Sequence, residues 1–524
     1  MKVLILYPAV QIIDIKPLGV SMLSAVLKRG GHEVMFFNTS YYNQDRILPD
    51  TSMKEKDLYP PYWFKRVKSK LPIPGTMHID VVEAFNKSLE VFQPNVILVT
   101  TTFVSFTHGY KLITLSDARG RLVIYGGIHC TTNPELAISN ENVKYIHLGE
   151  GEISVPAILR KLQAKESIDN CDNLWVKNGN GQIKKNKLAE LTKDLGELPF
   201  YDYDIYANES YFVRPYLGDI YRFADYSMSR GCFKSCTYCF YKNFRDTYEI
   251  RENTIRRYSP ERAIEELVYL KERYKITMIK FFDSDFLSVG AKYLDEFSKL
   301  YKRYIDLPNV STGCIDHVTE KKAKYLVRMS CRSISVGLES GSENIRKRLL
   351  NRNYSNKLFL ERVKYLRNVG IRVTTANIIG FPTETRKEML ETMMLNRKAR
   401  VAFQDCNIFF PFPNLELTKY SIEKGYLEKN IKLDSYIYSL ETPLKLEISQ
   451  EQMQNLSRCF KLYATLPFFF IPMIRYAERY NTRDGLVWRF LRIVYFIKMN
   501  YLDFDGLIRR IRREWTVRKL SRGQ

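Results

Sequence analysis

Three cysteines lie within eight positions of this 524-residue chain, and no other feature restricts its structure and chemistry as strongly. Cys232, Cys236 and Cys239 have the spacing C-x3-C-x2-C, at which three soft thiolates can bind one iron–sulfur cluster. Three ligands for four irons leave one iron with an open position, much as a catalytic zinc site keeps one. A structural zinc site would need a fourth cysteine or histidine nearby, and none of the six histidines lies close in sequence. We therefore predict a [4Fe–4S] cluster at these three cysteines.

The composition is that of a chain with several domains. Its length suggests two to four, and 45% of the residues are hydrophobic, so sizeable cores can form. The net charge of +23 favours anionic partners, and simple solubility is the alternative. The amino-terminal apolar run is too short for a signal peptide, and no run reaches the roughly 18 apolar residues of a membrane span. We therefore expect a cytoplasmic protein, and we expect six cysteines to be inert: Cys130, Cys171, Cys314, Cys331, Cys406 and Cys459.

Strands alternate with helices in the first 165 residues. Apolar runs at residues 3–6, 33–37, 95–100 and 121–127 have the length and β-branched content of buried parallel strands. A helical pattern through residues 22–27 follows the first run. This alternation predicts a doubly wound, Rossmann-like α/β sheet, whose ligands bind at the carboxyl ends of the strands.

The cysteine motif strongly resembles that of the radical S-adenosylmethionine (radical SAM) superfamily. The resemblance implies that the amino and carboxylate groups of SAM occupy the open iron, and that electron transfer into the sulfonium releases a 5′-deoxyadenosyl radical. It also implies a partial (β/α)6 barrel, and Tyr238 matches the aromatic residue that packs beside SAM. Apolar runs that suit the later strands of this barrel lie at residues 278–282, 333–338, 373–379 and 406–410.

The ends of two of these runs carry further similarities. Asp283, Ser284 and Asp285 occupy the place of the family motif whose backbone carbonyls bind the SAM amino group. Capping of the following helix is the alternative for these aspartates. Glu339 and Ser340 lie in a segment that resembles G-x-E-S-G-S, in which the glutamate accepts hydrogen bonds from ribose hydroxyls or from the SAM amino acid.

Of the last two strand ends, the first resembles the family pattern and the second departs from it. Gly380 begins a segment like G-x-P-x-E-T, Ile378 lies just before it, and the resemblance implies that both contact the adenine ring. Glu384 in that segment has either a direct role or that of a carboxylate at a helix start. Asn414 and Leu415 replace the usual Gly-Thr, which suggests a loop adapted to its substrate. No catalytic residue is assigned from these motifs.

The amino-terminal region resembles the cobalamin-binding domains that are fused to radical SAM enzymes. Their first loop carries Asp-x-His-x-x-Gly, and here Asp14, Lys16 and Gly19 stand in that pattern. A protonated lysine has no lone pair, so cobalamin would lack a histidine ligand from this loop. A Rossmann-like domain that binds nothing, or part of the substrate, is the alternative. The residues predicted to line the cobalamin site are Leu18, Gly19, Gly126, Gly127, Gly149 and Glu150.

We predict four regions along the chain. They are a cobalamin-binding-like domain (1–165), a linker with a hairpin (166–218), the radical SAM barrel (219–445) and a basic, aromatic helical region (446–524). The last region is either a helical cap on the barrel or an interfacial segment that meets anionic lipid at the inner membrane surface. A predicted amphipathic helix with Ile508, Ile511 and Trp515 supports the second interpretation. No RNA-binding module is recognisable, so nucleic acid is not the expected partner.

The resemblance as a whole covers residues 1 to about 445 and implies an enzyme with three cofactors: a [4Fe–4S] cluster, SAM and cobalamin. We predict a methyltransferase that acts on an unactivated carbon of a small-molecule or lipid-like substrate and receives electrons from a low-potential donor of the flavodoxin or ferredoxin type. Two alternatives remain open. One is a radical SAM oxidoreductase or cyclase without methyl transfer, and the other is a non-catalytic iron–sulfur or electron-transfer protein.

Overall fold

The computed structural model describes residues 1–9, 15–47, 78–206, 211–217, 219–250, 255–431, 433, 438, 440–480 and 485–501. It forms two compact units. The first contains Met1–Phe212, Cys239–Tyr258 and Phe412–Asn414, and the second contains Val213–Tyr238, Ser259–Pro411 and the residues from Leu415 onward. The boundaries predicted for the four regions remain predictions.

The first unit is built on a seven-stranded sheet with the order β2-β1-β3-β4-β5-β6-β7. The first five strands are parallel, and β6 and β7 are antiparallel additions at one edge. The apolar, β-branched sequences of the central strands explain why these strands are buried. The strands are β1 (Lys2–Tyr7), β2 (Glu33–Asn38), β3 (Val96–Thr100), β4 (Val123–Gly126), β5 (Tyr145–His147), β6 (Leu174–Lys177) and β7 (Ile183–Lys185).

Helices connect these strands, as a doubly wound sheet requires. They are α1 (Leu18–Arg29), α2 (Val81–Phe92), α3 (Phe103–Leu115), α4 (Ile128–Thr132), α5 (Pro134–Ile138) and α6 (Ser154–Gln163). Helix α7 (Phe240–Thr247) also belongs to the first unit but connects no two strands of this sheet. Strands β6 and β7 form the predicted linker hairpin, which pairs with β5 rather than standing apart from the sheet.

The rest of the predicted linker packs against α1. Asp202 accepts a hydrogen bond from Ser24 Oγ at 2.6 Å and pairs with Lys28 at 2.7 Å. The Tyr206 hydroxyl donates to the Pro17 carbonyl at 2.9 Å, just before the helix begins. The predicted linker up to Phe212 therefore belongs to the first unit, whereas β8 (Val213–Tyr216), at its end, belongs to the second.

The second unit contains a seven-stranded sheet with the order β16-β15-β14-β13-β12-β9-β8. Six strands are parallel, and β8 pairs antiparallel with β9 at one edge. Its strands are β8 (Val213–Tyr216), β9 (Asp219–Tyr226), β12 (Met278–Phe281), β13 (Asn309–Gly313), β14 (Cys331–Glu339), β15 (Arg372–Ile379) and β16 (Phe403–Ile408); the short strands β10 (Ser229–Arg230) and β11 (Arg256–Arg257) lie outside it.

This sheet curls strongly. Tyr216 on β8 donates a hydrogen bond to Ser333 on β14 at 2.7 Å, although three strands lie between β8 and β14 in the sheet order. A flat sheet would separate these residues by several strand spacings of about 4.8 Å each. The contact therefore requires a partial barrel, as predicted.

Helices cover the outer face of the partial barrel. They are α8 (Pro260–Tyr274), α9 (Ala291–Leu300), α10 (Glu320–Arg328), α11 (Glu343–Arg348), α12 (Asn356–Asn368), α13 (Arg386–Ala399), α14 (Glu416–Glu423), α15 (Gln450–Thr465), α16 (Ile471–Tyr480) and α17 (Leu486–Tyr501). Helix α15 packs on α13 and β16, which agrees with the predicted cap on the barrel. Residues 508–515 lie outside the described residues.

The predicted fold class is confirmed: two α/β units and a helical carboxyl-terminal region are present. One strand prediction was displaced, because β16 spans Phe403–Ile408 rather than 406–410. Phe409 and Phe410 are buried just after the strand end, and the Phe409 N–H still donates to the Ile379 carbonyl of β15 at 2.8 Å. Among the described helices, none is long and apolar enough to cross a membrane.

Candidate active site

The part of the cysteine loop that carries Cys232 and Cys236 is held in place by hydrogen bonds from distant segments of the second unit. Asn351 Nδ2 donates to the Ser235 carbonyl at 3.0 Å, and the Leu417 N–H donates to the Thr237 carbonyl at 3.0 Å. Lys234 forms an ion pair with Asp316. These contacts fix the loop backbone at several points without using the thiols.

None of the three predicted ligands takes part in a disulfide. Cys236 is buried, whereas Cys232 and Cys239 are half-buried. Cys239 also stands at the N-cap position of α7, where unpaired backbone N–H groups stabilise a thiolate. A loop that is fixed by hydrogen bonds and carries three reduced cysteines supplies the three thiolate ligands that a three-cysteine cluster site requires.

Glu339 lies in the centre of a buried polar network at the end of β14. Its backbone is left-handed, with φ of 64°, which is uncommon for a non-glycine residue and frequent at functional sites. Arg352 Nη1 lies 3.5 Å from its carboxylate and donates to the Tyr238 hydroxyl at 3.0 Å. Burial raises the pKa of Glu339, and the Arg352 guanidinium opposes this rise. The structure thus brings together two predicted SAM contacts, Glu339 and Tyr238.

Sequence reasoning missed Arg352. It lies in a loop after α11, where no periodicity or spacing marks it, and the only signal was its charge in a segment close to the G-x-E-S-G-S match. Arg352 also donates to the Gly337 carbonyl at 2.7 Å. It therefore holds the Glu339 carboxylate and the strand end at the same time.

The predicted SAM-amino motif after β12 is largely engaged within the protein. The buried Asp283 accepts hydrogen bonds from Ser229 Oγ and the Met228 N–H, and burial raises the pKa of Asp283 to about 6. The Asp285 carboxylate caps the following 3-10 turn through the Leu287 N–H at 3.1 Å, as the capping alternative proposed. Ser284 is half-buried, with its side chain outside these bonds. The SAM contacts assigned to these three residues remain predictions.

Cys314 and His317, which sequence reasoning had not placed in the site, lie beside Asp285. One side-chain ligand atom from each of the three residues lies within 4.8 Å of the others. Asp285 also accepts from the Cys314 N–H at 3.0 Å and is bonded to His317 Nδ1. The carboxylate therefore joins the ends of β12 and β13, and His317 packs on the ring of Phe233 in the cysteine loop.

The loop after β15 is organised by Glu384. Its buried carboxylate accepts from the Gly380 N–H at 2.7 Å and from the Phe381 N–H at 3.1 Å, and burial raises its pKa to about 8. Gly380 has φ of 84°, and a Cβ there would lie 2.5 Å from Met453 Sδ on α15. Ile378 is half-buried. Glu384 therefore shapes the loop that carries the predicted adenine contacts.

In the first unit, Lys16 is buried in the place where the family has a histidine. Its Nζ donates to the Tyr211 carbonyl at 2.6 Å and lies 4.1 Å from the centre of the Phe212 ring. The ammonium is thus held by protein groups and offers no lone pair to a metal. That this loop supplies no axial ligand stays a prediction; Asp14 lies outside the described residues, and Leu18 and Gly19 begin α1.

Two of the glycines that are predicted to contact cobalamin have close neighbours within the protein. A Cβ on Gly127 would lie 2.5 Å from the Thr101 carbonyl oxygen, and a Cβ on Gly149 would lie 1.7 Å from the Tyr248 hydroxyl. The Arg256 guanidinium forms a bidentate ion pair with the Glu150 carboxylate, with N–O distances of 2.5 and 2.9 Å. Close packing within the chain thus accounts for glycine at 127 and 149, and the cobalamin contacts remain predictions, including that of Gly126.

Comparisons with known proteins agree with this architecture. Residues 226–395 match the Radical SAM superfamily. The chain is 24% identical over 416 residues to an uncharacterized methyltransferase, PH0819, of Pyrococcus horikoshii, covering 78% of this chain and 85% of that protein. It is 22% identical over 468 residues to cytidylyl-2-hydroxyethylphosphonate methyltransferase of Streptomyces wedmorensis, covering 80% of each.

The solved structure of the cobalamin-dependent SAM radical enzyme OxsB, with aqua-cobalamin and SAM bound, has a similar fold. The TM-score is 0.65 at 14% identity, and the match covers 99% of this chain and 75% of OxsB. The chain therefore contains a radical SAM domain, and its fold is similar to that of OxsB. The cofactors that this domain implies are a [4Fe–4S] cluster and SAM.

Proposed function

We propose that the chain is a cobalamin-dependent methyltransferase that methylates an unactivated carbon of a small-molecule or lipid-like substrate. The main observation in support is that the chain contains both a radical SAM barrel and an amino-terminal Rossmann-like unit. The fold of OxsB matches nearly the whole of this chain. The methyltransferase names of two relatives support transfer of a methyl group.

The residues described above have distinct roles in this proposal. Cys232, Cys236 and Cys239 would hold the cluster, and Glu339, positioned by Arg352, would accept hydrogen bonds from SAM. When bound, the cluster and SAM supply a 5′-deoxyadenosyl radical, and cobalamin supplies the methyl group. The chain itself binds and orients these groups and excludes water from them. The electron donor would be of the flavodoxin or ferredoxin type, and the net charge of +23 would attract an acidic donor.

Anaerobic reconstitution with iron, sulfide and hydroxocobalamin tests the proposal. We expect a bound corrinoid in the ultraviolet–visible spectrum, and 5′-deoxyadenosine together with S-adenosylhomocysteine after reduction with dithionite. A Cys232→Ala variant is the control. Cluster and 5′-deoxyadenosine without corrinoid or S-adenosylhomocysteine would reject the methyltransferase and favour the radical SAM oxidoreductase or cyclase.

We further propose that the carboxyl-terminal helices contact an anionic membrane surface. Helix α17 has two apolar faces: Trp488, Leu491 and Tyr495 are buried. The opposite face is an exposed apolar stripe formed by Leu486, Phe490, Ile493 and Ile497, with helical spacing i, i+4, i+7 and i+11. This stripe is continuous with the exposed Phe468 and Phe469 through the contact between the Phe470 and Phe490 rings at 6.4 Å.

The charges around this stripe support lipid as its partner. Arg475, Arg479 and Arg489 are exposed on α16 and α17, and Tyr476 and Tyr480 are exposed beside them. Exposed aromatic residues with flanking arginines are typical of a helix that lies in the headgroup region of an anionic bilayer.

Vesicle co-sedimentation tests this contact. The full chain should bind vesicles of phosphatidylcholine with phosphatidylglycerol and not pure phosphatidylcholine vesicles, and Phe469→Ser with Leu486→Ser should abolish binding. An exposed aromatic elsewhere, Tyr304→Ser, is the matched control. Equal behaviour of all variants would reject the lipid contact, and a concentration-dependent dimer that the stripe variant abolishes would assign the surface to a second copy of the chain.

A further inference from the structure

Lys280 on β12 places an ammonium group inside the partial barrel. Phe281, the next residue, packs outward against the rings of Phe286 and Phe297, which belong to the helical layer. Because side chains alternate along a strand, Lys280 and Phe282 lie on the inner face. Met278, also on this face, is fully buried, whereas Lys280 and Phe282 are half-buried. The inner face is therefore filled at its amino end and accessible from Lys280 toward the carboxyl end.

The Lys280 ammonium has a ring beside it but no anion bonded to it. Its Nζ lies 4.3 Å from the centre of the Phe282 ring. Within the part of the chain that the structure describes, it forms neither a hydrogen bond nor an ion pair. The neighbouring carboxylate in the strand register, Asp225, is bonded to Arg214 instead. The Asp225 carboxylate is therefore engaged by Arg214, and the Lys280 ammonium has no bonded counter-ion among the described residues.

Hydroxyl groups line the same face at the next level of the barrel. Ser335 on β14 lies between Ile334 and Val336, both fully buried on the helical side, so its side chain is on the inner face. Thr374 on β15 pairs with Ser335 in the strand register, and its neighbour Thr375 bonds outward to Asn396 on α13. Both Ser335 and Thr374 are half-buried. A desolvated cation with neutral donors nearby is the arrangement that recognises a carboxylate or phosphate.

We propose that Lys280 binds an anionic group, a carboxylate or a phosphate, of a ligand that enters the barrel from its carboxyl end. This inference deepens the proposed function and rests on it for one point only, that the barrel admits a substrate. The anion belongs either to the substrate or to the carboxylate of SAM. Burial lowers the pKa of Lys280, Asp225 opposes this shift and Arg214 adds to it, so the ammonium lacks the compensation that an anion would supply.

Binding measurements on the full, anaerobically reconstituted chain test this proposal. The variants are Lys280→Met, the charge-conserving Lys280→Arg, and Lys364→Met, an exposed lysine on α12, as the matched control. Equilibrium dialysis measures SAM and decarboxylated SAM, and saturation-transfer NMR measures methyl phosphate and acetate. The Lys280→Met protein should have a melting temperature no lower than that of the wild type, because the substitution removes a desolvated charge. If the Lys280→Met protein does not fold, the Lys280→Gln variant is used in its place.

A tenfold or greater loss of SAM affinity in Lys280→Met, with decarboxylated SAM unaffected, assigns the anion to the SAM carboxylate. If Lys280→Met leaves SAM affinity unchanged but binds methyl phosphate or acetate at least tenfold more weakly, the anion belongs to the substrate. Lys280→Arg should then keep the wild-type affinity for methyl phosphate or acetate. The proposal is overturned if Lys280→Met and Lys364→Met bind all four probes with the same affinity. None of these readouts requires methyl transfer, so failure of the proposed function would be seen separately.

Discussion

Both parallel sheets carry loops at the carboxyl ends of their strands, but these loops contain different chemistry. In the second unit, the loop ends hold charged groups in mutual contact, Glu339 with Arg352 and Lys234 with Asp316. In the first unit, Gly127 and Gly149 at the strand ends are covered by the chain itself, and the buried Lys16 is bonded to a backbone carbonyl. The same topological position therefore serves a polar, charge-organised site in one sheet and a closely packed backbone in the other.

The largest expected effect concerns the cysteine loop. Cys236→Ala removes a cluster ligand, so we expect the iron–sulfur absorbance to disappear and 5′-deoxyadenosine formation to fall to background. Cys171→Ala, a buried cysteine of the first unit, is the control and should retain both. Absorbance spectra and chromatography of the reaction products check this, and a Cys236→Ala enzyme that still cleaves SAM would remove the basis of the site.

The next effect separates a charge network from simple packing. Arg352→Met leaves Glu339 buried without its cation, which should cost about 3–5 kcal/mol of unfolding free energy, as for other broken buried ion pairs. It should also weaken SAM binding. Urea denaturation and equilibrium dialysis measure the two effects, with the exposed Arg348→Met as control. If both variants behave alike, the network does not organise the site.

A smaller effect tests the packed glycines of the first unit. Gly120 and Gly149 both have positive φ, but a Cβ meets nothing within 4 Å at Gly120 and the Tyr248 hydroxyl at Gly149. Gly120→Ala should cost about 1 kcal/mol from backbone strain alone, and Gly149→Ala about 2–4 kcal/mol because overpacking adds to the strain. Adding Tyr248→Ala should recover part of the difference in chemical denaturation. Equal costs at the two positions would show that Tyr248 does not fill this space.

The fourth effect concerns pH in the second unit. Folded Glu384 keeps its proton up to a pKa of about 8, whereas the unfolded chain loses it near the ordinary glutamate pKa. Its contribution to stability is therefore complete at low pH and is lost as the pH rises toward 8, by up to about 1.4 kcal/mol per pH unit. Glu384→Gln, which imitates the protonated form, should remove this slope in denaturation curves from pH 5 to 9. A slope that persists in the variant would contradict this assignment.

The first unit should respond to pH in the opposite direction. Burial lowers the pKa of His108, His129 and His147 to about 4. Their neutral forms stabilise the fold above the ordinary histidine pKa, and this contribution is lost as the pH falls toward 4. Amide hydrogen exchange, corrected for intrinsic rates, should show the first unit opening more readily at pH 5 than at pH 8. His147→Gln should reduce this difference, because Gln does not titrate and can still bond to Ser154.

Sequence patterns predicted the strands that are encoded by continuous, largely apolar runs. The apolar runs at 33–37 and 373–379 correspond closely to β2 (Glu33–Asn38) and β15 (Arg372–Ile379). The resemblance to short family motifs also predicted that Tyr238 and Glu339 both contact SAM, and in the structure Arg352 contacts both side chains.

Long-range partners could not be predicted in this way. Arg352 reaches Glu339 from an irregular loop, and Tyr248 reaches Gly149 from about a hundred residues further along the chain. No local periodicity encodes such contacts, since they depend on how separate elements pack. The same reason explains why the bonds between Ser229 and the Asp283 carboxylate and between His317 and the Asp285 carboxylate were not predicted.

The contacts between α1 and residues 197–212 also determine when this protein can fold during its synthesis. Lys16 is bonded to a carbonyl 195 residues further along, and Ser24 to a carboxylate 178 residues further along. The ribosome must therefore release the chain to beyond residue 212 before the loop after the first strand can take its final form. A shorter nascent chain would expose the apolar side chains around α1 to chaperones, and a fragment that stops at residue 165 would share that exposure.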